Sequence, residues 1–427
     1  MAFLLRVAVF SRFWSDLDTD PDIYVALARG LWEGRGYAVP GTEQPTAFRP
    51  PLYPLLLAPV SGPDQQWGRA LLQLLLSLAT LPLVWLTGKR LGLSPVGRLL
   101  AVGCLSVDPL LLRYVPFPMT ETLCAFLIAL LLWKLSGGSR TGTSSFLTGF
   151  LFGICLLSRP TFWAFGILAA VAAIWIQWST RPDNLPESLS QQRGSVFRNW
   201  LACGLGIAIC VLPWGIRNWS LLGTPVFMTT HGGYTLLLGN NTAFYEEVVR
   251  QPFGTIWDGT HGPGQAVWNA QIEEQMASAG IHGEIERDRW LSTLARDTIR
   301  RHPVTFLQAC WLKFCWFWNI APHSAAAHTL PATVRLAVTT YYCGLWLLLL
   351  MGMGCALLKQ FRQEQHARLW LSPVLLIIAM TGAHLFYWSD GRMRAPVMPA
   401  VALLAGLAAS SLFPPKRTET VISDTDT

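Results

Sequence analysis

The chain has 427 residues, of which 52% are hydrophobic and only 13% are charged, and its net charge is +7. A soluble domain carries about 25% charged residues, so a surface that faces only water is excluded for a chain of this length. The basic residues gather in short segments between apolar stretches, and no basic helix interleaved with aromatic residues occurs. The composition therefore predicts an integral membrane protein, with no nucleic-acid partner.

Apolar stretches recur along the chain, and a membrane-spanning helix needs about 20 predominantly apolar residues. The first stretch, 1–14, is short and contains Arg6, but no small-residue cleavage site follows it, so we interpret it as a membrane helix rather than a signal peptide. The other candidate spans are 67–85, 96–112, 119–135, 145–157, 161–178, 200–216, 334–358, 369–388 and 395–413. The sequence thus predicts an all-α polytopic membrane protein with about ten transmembrane helices.

Lys and Arg residues indicate the orientation, because they are enriched in short cytoplasmic loops. The basic clusters fall on one side if the N-terminus is cytoplasmic and 303–320 does not cross but lies in the outer interface as an amphipathic helix. The prediction is a monomer with a single transmembrane domain over 1–413, and a cytoplasmic tail at 414–427. Its long external loops span about 15–66 and 217–335. A multi-pass protein of the cell (inner) membrane is expected, with its site facing the periplasm or exterior.

The first external loop carries an unusual set of polar residues. Four aspartates alternate from position 16 to 22, Tyr24 follows, and Arg49 stands before two prolines, in a stretch whose prolines restrict the backbone. Carboxylates beside a guanidinium near the outer headgroups favour a site for an anionic lipid-linked substrate and a hydroxyl or amine acceptor. The alternative is a solvated acidic loop in which Asp20 or Asp22 caps a helix.

Charged residues also stand at the predicted external ends of two spans. Glu121 begins the span at 119–135, where a carboxylate is costly and by default marks a functional position; a buried structural pair with Arg113 or Arg159 is the alternative. Arg392 and Arg394 lie between two closely spaced spans. External arginines are disfavoured there unless something anionic holds them, and interfacial snorkelling is the alternative.

A weaker signal follows the span at 200–216. Arg217 and Asn218 end the motif there, and a Gly-Asn-Asn turn containing Asn240 comes later. Glycines and amides near an arginine can bring backbone N–H groups against a phosphate. Gly-Asn is also common in ordinary turns, so this motif is weak by itself.

The cysteines and histidines give no metal or disulfide pattern. All nine cysteines lie in apolar stretches without a CxxC pair, and the eight histidines lack metalloprotease or deaminase spacing. No metal ligand set is predicted, although the carboxylates of the first external loop leave a divalent metal ion open.

Five motifs follow one another over nearly the whole chain. They are Asp20-Pro21-Asp22-Ile23-Tyr24-Val25-Ala26-Leu27-Ala28, Arg49-Pro50-Pro51-Leu52-Tyr53-Pro54, Leu157-Ser158-Arg159-Pro160, Pro213-Trp214-Gly215-Ile216-Arg217-Asn218 and Arg392-Met393-Arg394-Ala395-Pro396. Together they resemble the GT-C superfamily of membrane glycosyltransferases. The similarity is greatest to the bacterial branch related to protein O-mannosyltransferases and to the enzyme that transfers 4-amino-4-deoxy-arabinose to lipid A.

The resemblance implies an inverting transfer of a sugar from a polyprenyl phosphate or diphosphate to a lipid, glycan or protein acceptor on the outer face of the membrane. Asp20, four residues before Tyr24, is implied as the general base, and Glu121 would orient Asp20 or the acceptor. Arginine suits phosphate because it keeps its charge and presents a planar fork. The implied substrate- and phosphate-binding residues are Asp22, Tyr24, Arg49, Arg159, Arg217, Asn218, Asn240, Arg392 and Arg394.

The alternative function from another class is a transporter or flippase of a lipid-linked anion. Such proteins usually show internal repeats, broken helices near the midplane and intramembrane charge along the path. This sequence gathers its charge at one membrane face and has no internal repeat, which favours the enzyme. The sequence leaves the sugar and the acceptor open.

Overall fold

The computed structural model describes residues 1–138, 141–179, 188–322, 330–362 and 367–413, so the predicted tail at 414–427 lies outside the described residues. The α-helices are α1 (Ala2–Arg12), α2 (Tyr24–Trp32), α3 (Leu52–Leu57), α4 (Gln66–Arg90), α5 (Pro95–Val107), α6 (Pro109–Tyr114), α7 (Thr120–Leu135), α8 (Gly142–Ser158), α9 (Phe162–Ser179), α10 (Ser188–Leu222), α11 (Gly232–Leu238), α12 (Thr242–Phe244), α13 (Gly264–Ser278), α14 (Glu284–Arg301), α15 (Pro303–Phe317), α16 (Ala332–Phe361), α17 (Leu371–Phe386) and α18 (Met398–Leu412). No strand occurs within these ranges; one isolated antiparallel bridge joins Ala38 to Pro45. The all-α fold class is confirmed.

Helices of membrane-spanning length and composition lie where the sequence predicted spans. Five are long and apolar enough to cross: Gln66–Arg90, Ser195–Leu222, Ala332–Gln360, Ala367–Phe386 and Gly391–Leu412. Shorter apolar helices cover Pro95–Val107, Gly142–Ser158 and Phe162–Ile176. The predicted spans coincide in order with α1, α4, α5, α7 to α10 and α16 to α18. The protein is therefore polytopic, and a count of about ten spans fits its helices.

The last of these helices, α18, forms the centre of the bundle. Over an 18-residue apolar stretch of the Gly391–Leu412 segment 83% of the residues are buried, against 11 to 39% over the corresponding stretches of the other four long candidates. It packs against α5, α16, α17, α4 and α7. Small residues allow this close packing: a Cβ added to Gly97 of α5 would lie 2.4 Å from the carbonyl oxygen of Gly406.

The contact between α8 and α10 depends on glycine in the same way. A Cβ added to Gly149 would lie 1.9 Å from the carbonyl oxygen of Cys203, whereas one added to Gly204 meets nothing within 4 Å.

We expect Gly149→Ala to destabilise the protein by about 1–3 kcal/mol, because two helix backbones would have to separate. Gly204→Ala should be neutral or stabilising, since alanine favours the helix. Thermal unfolding in detergent measures both, and equal effects would contradict this packing.

One predicted span ends earlier than expected. Instead of a helix over 96–112, α5 stops at Val107 and Asp108 begins the short α6. The Asp108 carboxylate accepts the N–H of Leu111 at 2.8 Å and the hydroxyls of Tyr341 at 3.2 Å and Tyr342 at 3.3 Å. An Asp-Pro pair is a helix-start signal, and here it outweighs the apolar run around it.

The helix α15 is joined to α17 by hydrogen bonds that lie at one end of α17. The Sγ of Cys310 donates to the carbonyl of Leu385 at 3.3 Å, and the Nζ of Lys313 donates to that of Phe386 at 3.3 Å. Both acceptors belong to the last turn of α17, next to the loop that carries Arg392. That α15 lies along the membrane surface rather than crossing it stays a prediction.

We therefore expect single cysteines at Ile320 and Arg362, in an otherwise cysteine-free chain, to label from opposite sides. If α15 does not cross, a membrane-impermeant maleimide added to intact cells reaches position 320, and reaches 362 only after permeabilisation. Arg362 belongs to a basic cluster predicted to be cytoplasmic. Labelling of position 362 from outside would refute the topology.

Candidate functional site

The alternating aspartates of the loop at 15–66 have different partners. Asp16 forms an ion pair with Arg113 at 2.6 Å, Asp18 with Arg69 at 2.7 Å and Asp22 with Arg49 at 2.8 Å. Among the residues that the structure describes, no arginine or lysine lies within salt-bridge distance of Asp20. Three of the four aspartates thus form ion pairs, and within the described ranges the fourth, Asp20, forms none.

Asp20 lies at the N-terminus of α2. Its Oδ1 accepts the N–H of Val25 at 3.1 Å and its Oδ2 accepts that of Ala26 at 2.8 Å. Ile23 adopts a left-handed conformation with φ of 59°, which turns the chain so that the carboxylate faces the helix end. The helix cap considered from the sequence is present. Burial raises the pKa of Asp20 above its ordinary value, against the effect of the backbone hydrogen bonds, and the neighbouring Asp22 raises it further.

Asp22 is held between two arginines. Arg49 donates from Nη2 to Oδ1 at 2.8 Å and from Nε to the Asp22 carbonyl at 3.0 Å. Arg392, from the loop before α18, donates to Oδ2 at 3.0 Å. Burial alone would raise the pKa of Asp22, but Arg392 and Arg49 bring it below its ordinary value. Asp22 is therefore ionised and a weak base. The guanidinium of Arg49 also lies 5.5 Å from the ring centroid of Tyr24.

A second ion pair joins this group from the bundle. Glu121, in the first turn of α7 and 1% exposed, accepts from Nη2 of Arg159 at 3.2 Å. Nη2 of Arg159 also lies 3.5 Å from the Sδ of Met393, the residue after Arg392, so the two pairs are near each other. Glu121 Oε2 and Arg159 Nη1 are buried without a hydrogen-bond partner. Such atoms are costly unless water or a ligand satisfies them, so this pair has capacity to bind another polar group. Asp20, Asp22, Arg49, Glu121, Arg159 and Arg392 are called the charged cluster below.

Four of the predicted phosphate-binding residues are not brought into the charged cluster. Their donors bind carbonyl groups of the fold instead: Arg217 those of Tyr37 and Thr46, Asn218 that of Val226, Asn240 those of Leu236 and Phe386, and Arg394 those of Phe317 and Asn319. Helix ends and loops leave such carbonyls without intrahelical partners, and arginine and asparagine side chains satisfy them. Proximity along the sequence to the end of a span could not distinguish these two uses.

Glu284 is a contributor that the sequence did not reveal. It begins α14 and accepts the hydroxyl of Thr46 at 2.6 Å, the N–H of Ala47 at 2.9 Å and the hydroxyl of Thr230. These bonds hold the segment that leads to Arg49 against the loop at 217–335. A Glu in the first turn of a polar helix reads as an ordinary dipole partner, so no sequence signal indicated this contact.

His231 is one of the eight histidines that show no metal-site spacing in the sequence. Its ring lies 4.5 Å from that of Phe48 and 5.1 Å from that of Tyr234, between centroids. Burial, assisted by Arg49, lowers the pKa of His231 to about 3, so the imidazole is neutral. Its Nδ1 is buried without a partner. In a neutral ring beside the charged cluster, Nδ1 can donate or accept one hydrogen bond with a bound substrate, depending on the tautomer.

Comparisons with known proteins agree with this architecture. The family described as Dolichyl-phosphate-mannose-protein mannosyltransferase matches residues 49–186, which include Arg49, Glu121 and Arg159. The oligosaccharyltransferase of Archaeoglobus fulgidus in its apo form superposes with a TM-score of 0.50 and 14% identity, over 96% of this chain and 50% of that chain. The chain has the GT-C fold. The resemblance first indicated by the five motifs is confirmed.

Two further solved structures with the GT-C fold are similar at lower scores. Archaeal AglB of A. fulgidus, in complex with an inhibitory peptide and a dolichol-phosphate, gives a TM-score of 0.49 at 13% identity over 96% of this chain and 49% of that one. ArnT of Cupriavidus metallidurans bound to undecaprenyl phosphate gives 0.40 at 14% identity over 96% and 77%. The chain spans about half the length of the archaeal enzyme. No curated protein matches it significantly.

Proposed function

We propose that this protein is an inverting glycosyltransferase that moves a sugar from a polyprenyl-phosphate-linked donor to a lipid, glycan or protein acceptor on the outer face of the membrane. One observation carries the proposal: Asp20 has no cationic partner among the described residues, while two arginines meet on the adjacent Asp22. A base and an anion site thus lie side by side. The mannosyltransferase family match over 49–186 supports a dolichyl-type phosphate donor.

Asp20 would act as the general base. As the acceptor oxygen or nitrogen attacks the anomeric carbon, Asp20 takes its proton, and the bond from that carbon to the phosphate oxygen breaks with the electron pair staying on the phosphate. A single displacement of this kind inverts the anomeric centre. The raised pKa of Asp20 makes it a stronger base than Asp22, whose pKa is lowered, so the environment favours Asp20.

Arg49 and Arg392 would bind the leaving phosphate. A guanidinium has five N–H donors, and the hydrogen bonds of Arg49 to Asp22 use two of them. Asp22 then serves as a positioning residue, because it holds both guanidinium groups in place before the donor arrives. Fixed donors at a developing phosphate charge lower the barrier without reorganisation. Arg159 and the unpaired Oε2 of Glu121 can contact the sugar or the acceptor.

The arginines neutralise phosphate charge without a metal ion. Within the described ranges, no group of three or more His, Cys, Asp and Glu side chains is arranged to hold one. We propose that transfer continues in EDTA. Activity that disappears with EDTA and returns with Mg²⁺ or Mn²⁺ would require a metal in the mechanism.

The direct experiment supplies the purified protein, reconstituted in liposomes, with defined polyprenyl-phosphate sugars and a membrane extract as acceptor source. The expected result is release of free polyprenyl phosphate coupled to formation of a glycosylated product. If the intact donor instead crosses the bilayer without cleavage, the protein is a flippase and the glycosyltransferase proposal fails.

A further inference from the structure

A cavity of about 570 Å³ lies among the membrane helices, apart from the charged cluster. The helices α7, α8, α9, α10 and the start of α17 bound it. Its volume lies within the range of roughly 300–1,000 Å³ that is typical of small-molecule sites. The lining is almost entirely apolar, and its charged member is Arg368.

The cavity is elongated along α9. Its lining includes Trp163 near one end of that helix and Ile176 near the other, with Gly166 and Ala173 between them. Thirteen residues of α-helix rise about 20 Å, which is most of the hydrocarbon thickness of one bilayer. Small residues on this face leave a groove that a hydrocarbon chain can fill. A groove of this shape and chemistry fits an acyl chain.

Arg368 lies at the end of the cavity opposite to the charged cluster. It precedes α17, which begins at Leu371, whereas Arg392 follows the other end of the same helix. Ser372, one turn further along, also lines the cavity. A span of α17 therefore separates the two arginines, and Arg368 stands at the headgroup level of the other leaflet. A carrier phosphate bound at Arg49 and Arg392 could not reach it.

We propose that this cavity is a binding site for an anionic glycerophospholipid of the leaflet opposite to the charged cluster. One acyl chain lies along α9, and the phosphate binds Arg368. The exposed guanidinium of Arg368 presents a planar fork to the phosphate oxygens, and its positive charge favours a headgroup of net negative charge over a zwitterionic one. The site is independent of the proposed transferase activity.

Native mass spectrometry of the full chain in detergent tests the site with two probes of identical acyl chains, phosphatidylglycerol and phosphatidylcholine. The wild type should retain phosphatidylglycerol preferentially. Arg368→Ala and Arg368→Glu should reduce that preference by about tenfold or more, as expected for loss of a charged hydrogen bond. Gly204→Leu should reduce retention of both lipids, because Gly204 lines the cavity and its side chain would enter open space.

Two matched variants control for general effects. Arg362→Ala removes an exposed basic residue at the end of α16, and Gly344→Leu adds the same side chain at a site whose Cβ also meets nothing within 4 Å. Both should retain phosphatidylglycerol as the wild type does. Unchanged preference in both Arg368 variants would overturn the proposal. Displacement of phosphatidylglycerol by polyprenyl phosphate in the wild type, abolished by Gly204→Leu, would also overturn it by assigning the cavity to the carrier.

Discussion

Asp20→Asn should lower the rate of sugar transfer by about 10²–10⁴-fold while folding and donor binding remain close to wild type. Asparagine keeps one of the two acceptor oxygens that bind backbone N–H groups at the start of α2, and the loss of the other should cost roughly 1–3 kcal/mol, which the fold should survive. It cannot accept the acceptor's proton, however, so the loss should fall on turnover rather than on the affinity for the donor. Single-turnover transfer with a purified lipid-linked donor, together with donor binding measured separately, checks both parts.

Asp22→Asn is the matched control, because the same change is made two residues away. It weakens the contact that positions Arg49 and Arg392, so donor affinity should fall. If Asp22→Asn is inactive with normal donor binding while Asp20→Asn keeps near-normal activity, the base has been assigned to the wrong carboxylate. If both variants keep full transfer activity, neither carboxylate is the base and the interpretation of this loop fails.

The pH dependence follows from the same assignment. Asp20 must be deprotonated to act as a base, and burial raises its pKa above the ordinary value of an aspartate. The rate should therefore fall as the pH is lowered through this raised pKa, at a higher pH than an exposed aspartate would give. An acid limb in kcat/KM of the wild type that is absent from the residual activity of Asp20→Asn would support the assignment.

Arg49→Ala should weaken donor binding and turnover together, lowering kcat/KM by roughly 10- to 100-fold, as the loss of charged hydrogen bonds to a phosphate predicts. It also leaves Asp22 with Arg392 as its remaining close partner. Arg49→Lys should restore only part of the activity, because lysine keeps the charge but lacks the fork. Donor titrations with the three proteins separate the KM and kcat contributions.

Arg113→Ala provides the comparison for that series. Arg113 pairs with Asp16 at 2.6 Å in the same loop, but its side chain is 46% exposed and lies outside the charged cluster. An exposed pair contributes at most about 1 kcal/mol, so activity should stay near wild type. If Arg113→Ala reduced kcat/KM as much as Arg49→Ala, the effect would reflect disturbance of the whole loop rather than loss of a phosphate partner.

The fold class and the membrane helices could be predicted from the sequence because both depend on local composition. Lipid offers no hydrogen bonds to the backbone, so a long apolar stretch has to be helical whatever its neighbours are. The contribution of the loop at 15–66 to the charged cluster could be predicted in the same way, from aspartates, prolines and Arg49 close together in the chain. Where a strong local signal competed with hydropathy, as at Asp108 and Pro109, the helix boundary was wrong.

The partners of the charged residues were decided by the tertiary structure. Arg392 and Arg394 are two positions apart and look equivalent in the sequence, yet one binds Asp22 and the other binds carbonyls near the end of α15. The contact between Asp22 and Arg392 joins residues 370 positions apart. Nearby residues in the short turn Gly391–Val397 before α18 point in different directions, so the packing of that turn against α6, α7, α15 and α17 selects which guanidinium meets a carboxylate. Residue type determines that an arginine can bind an anion, but only the packing determines which one is presented to it.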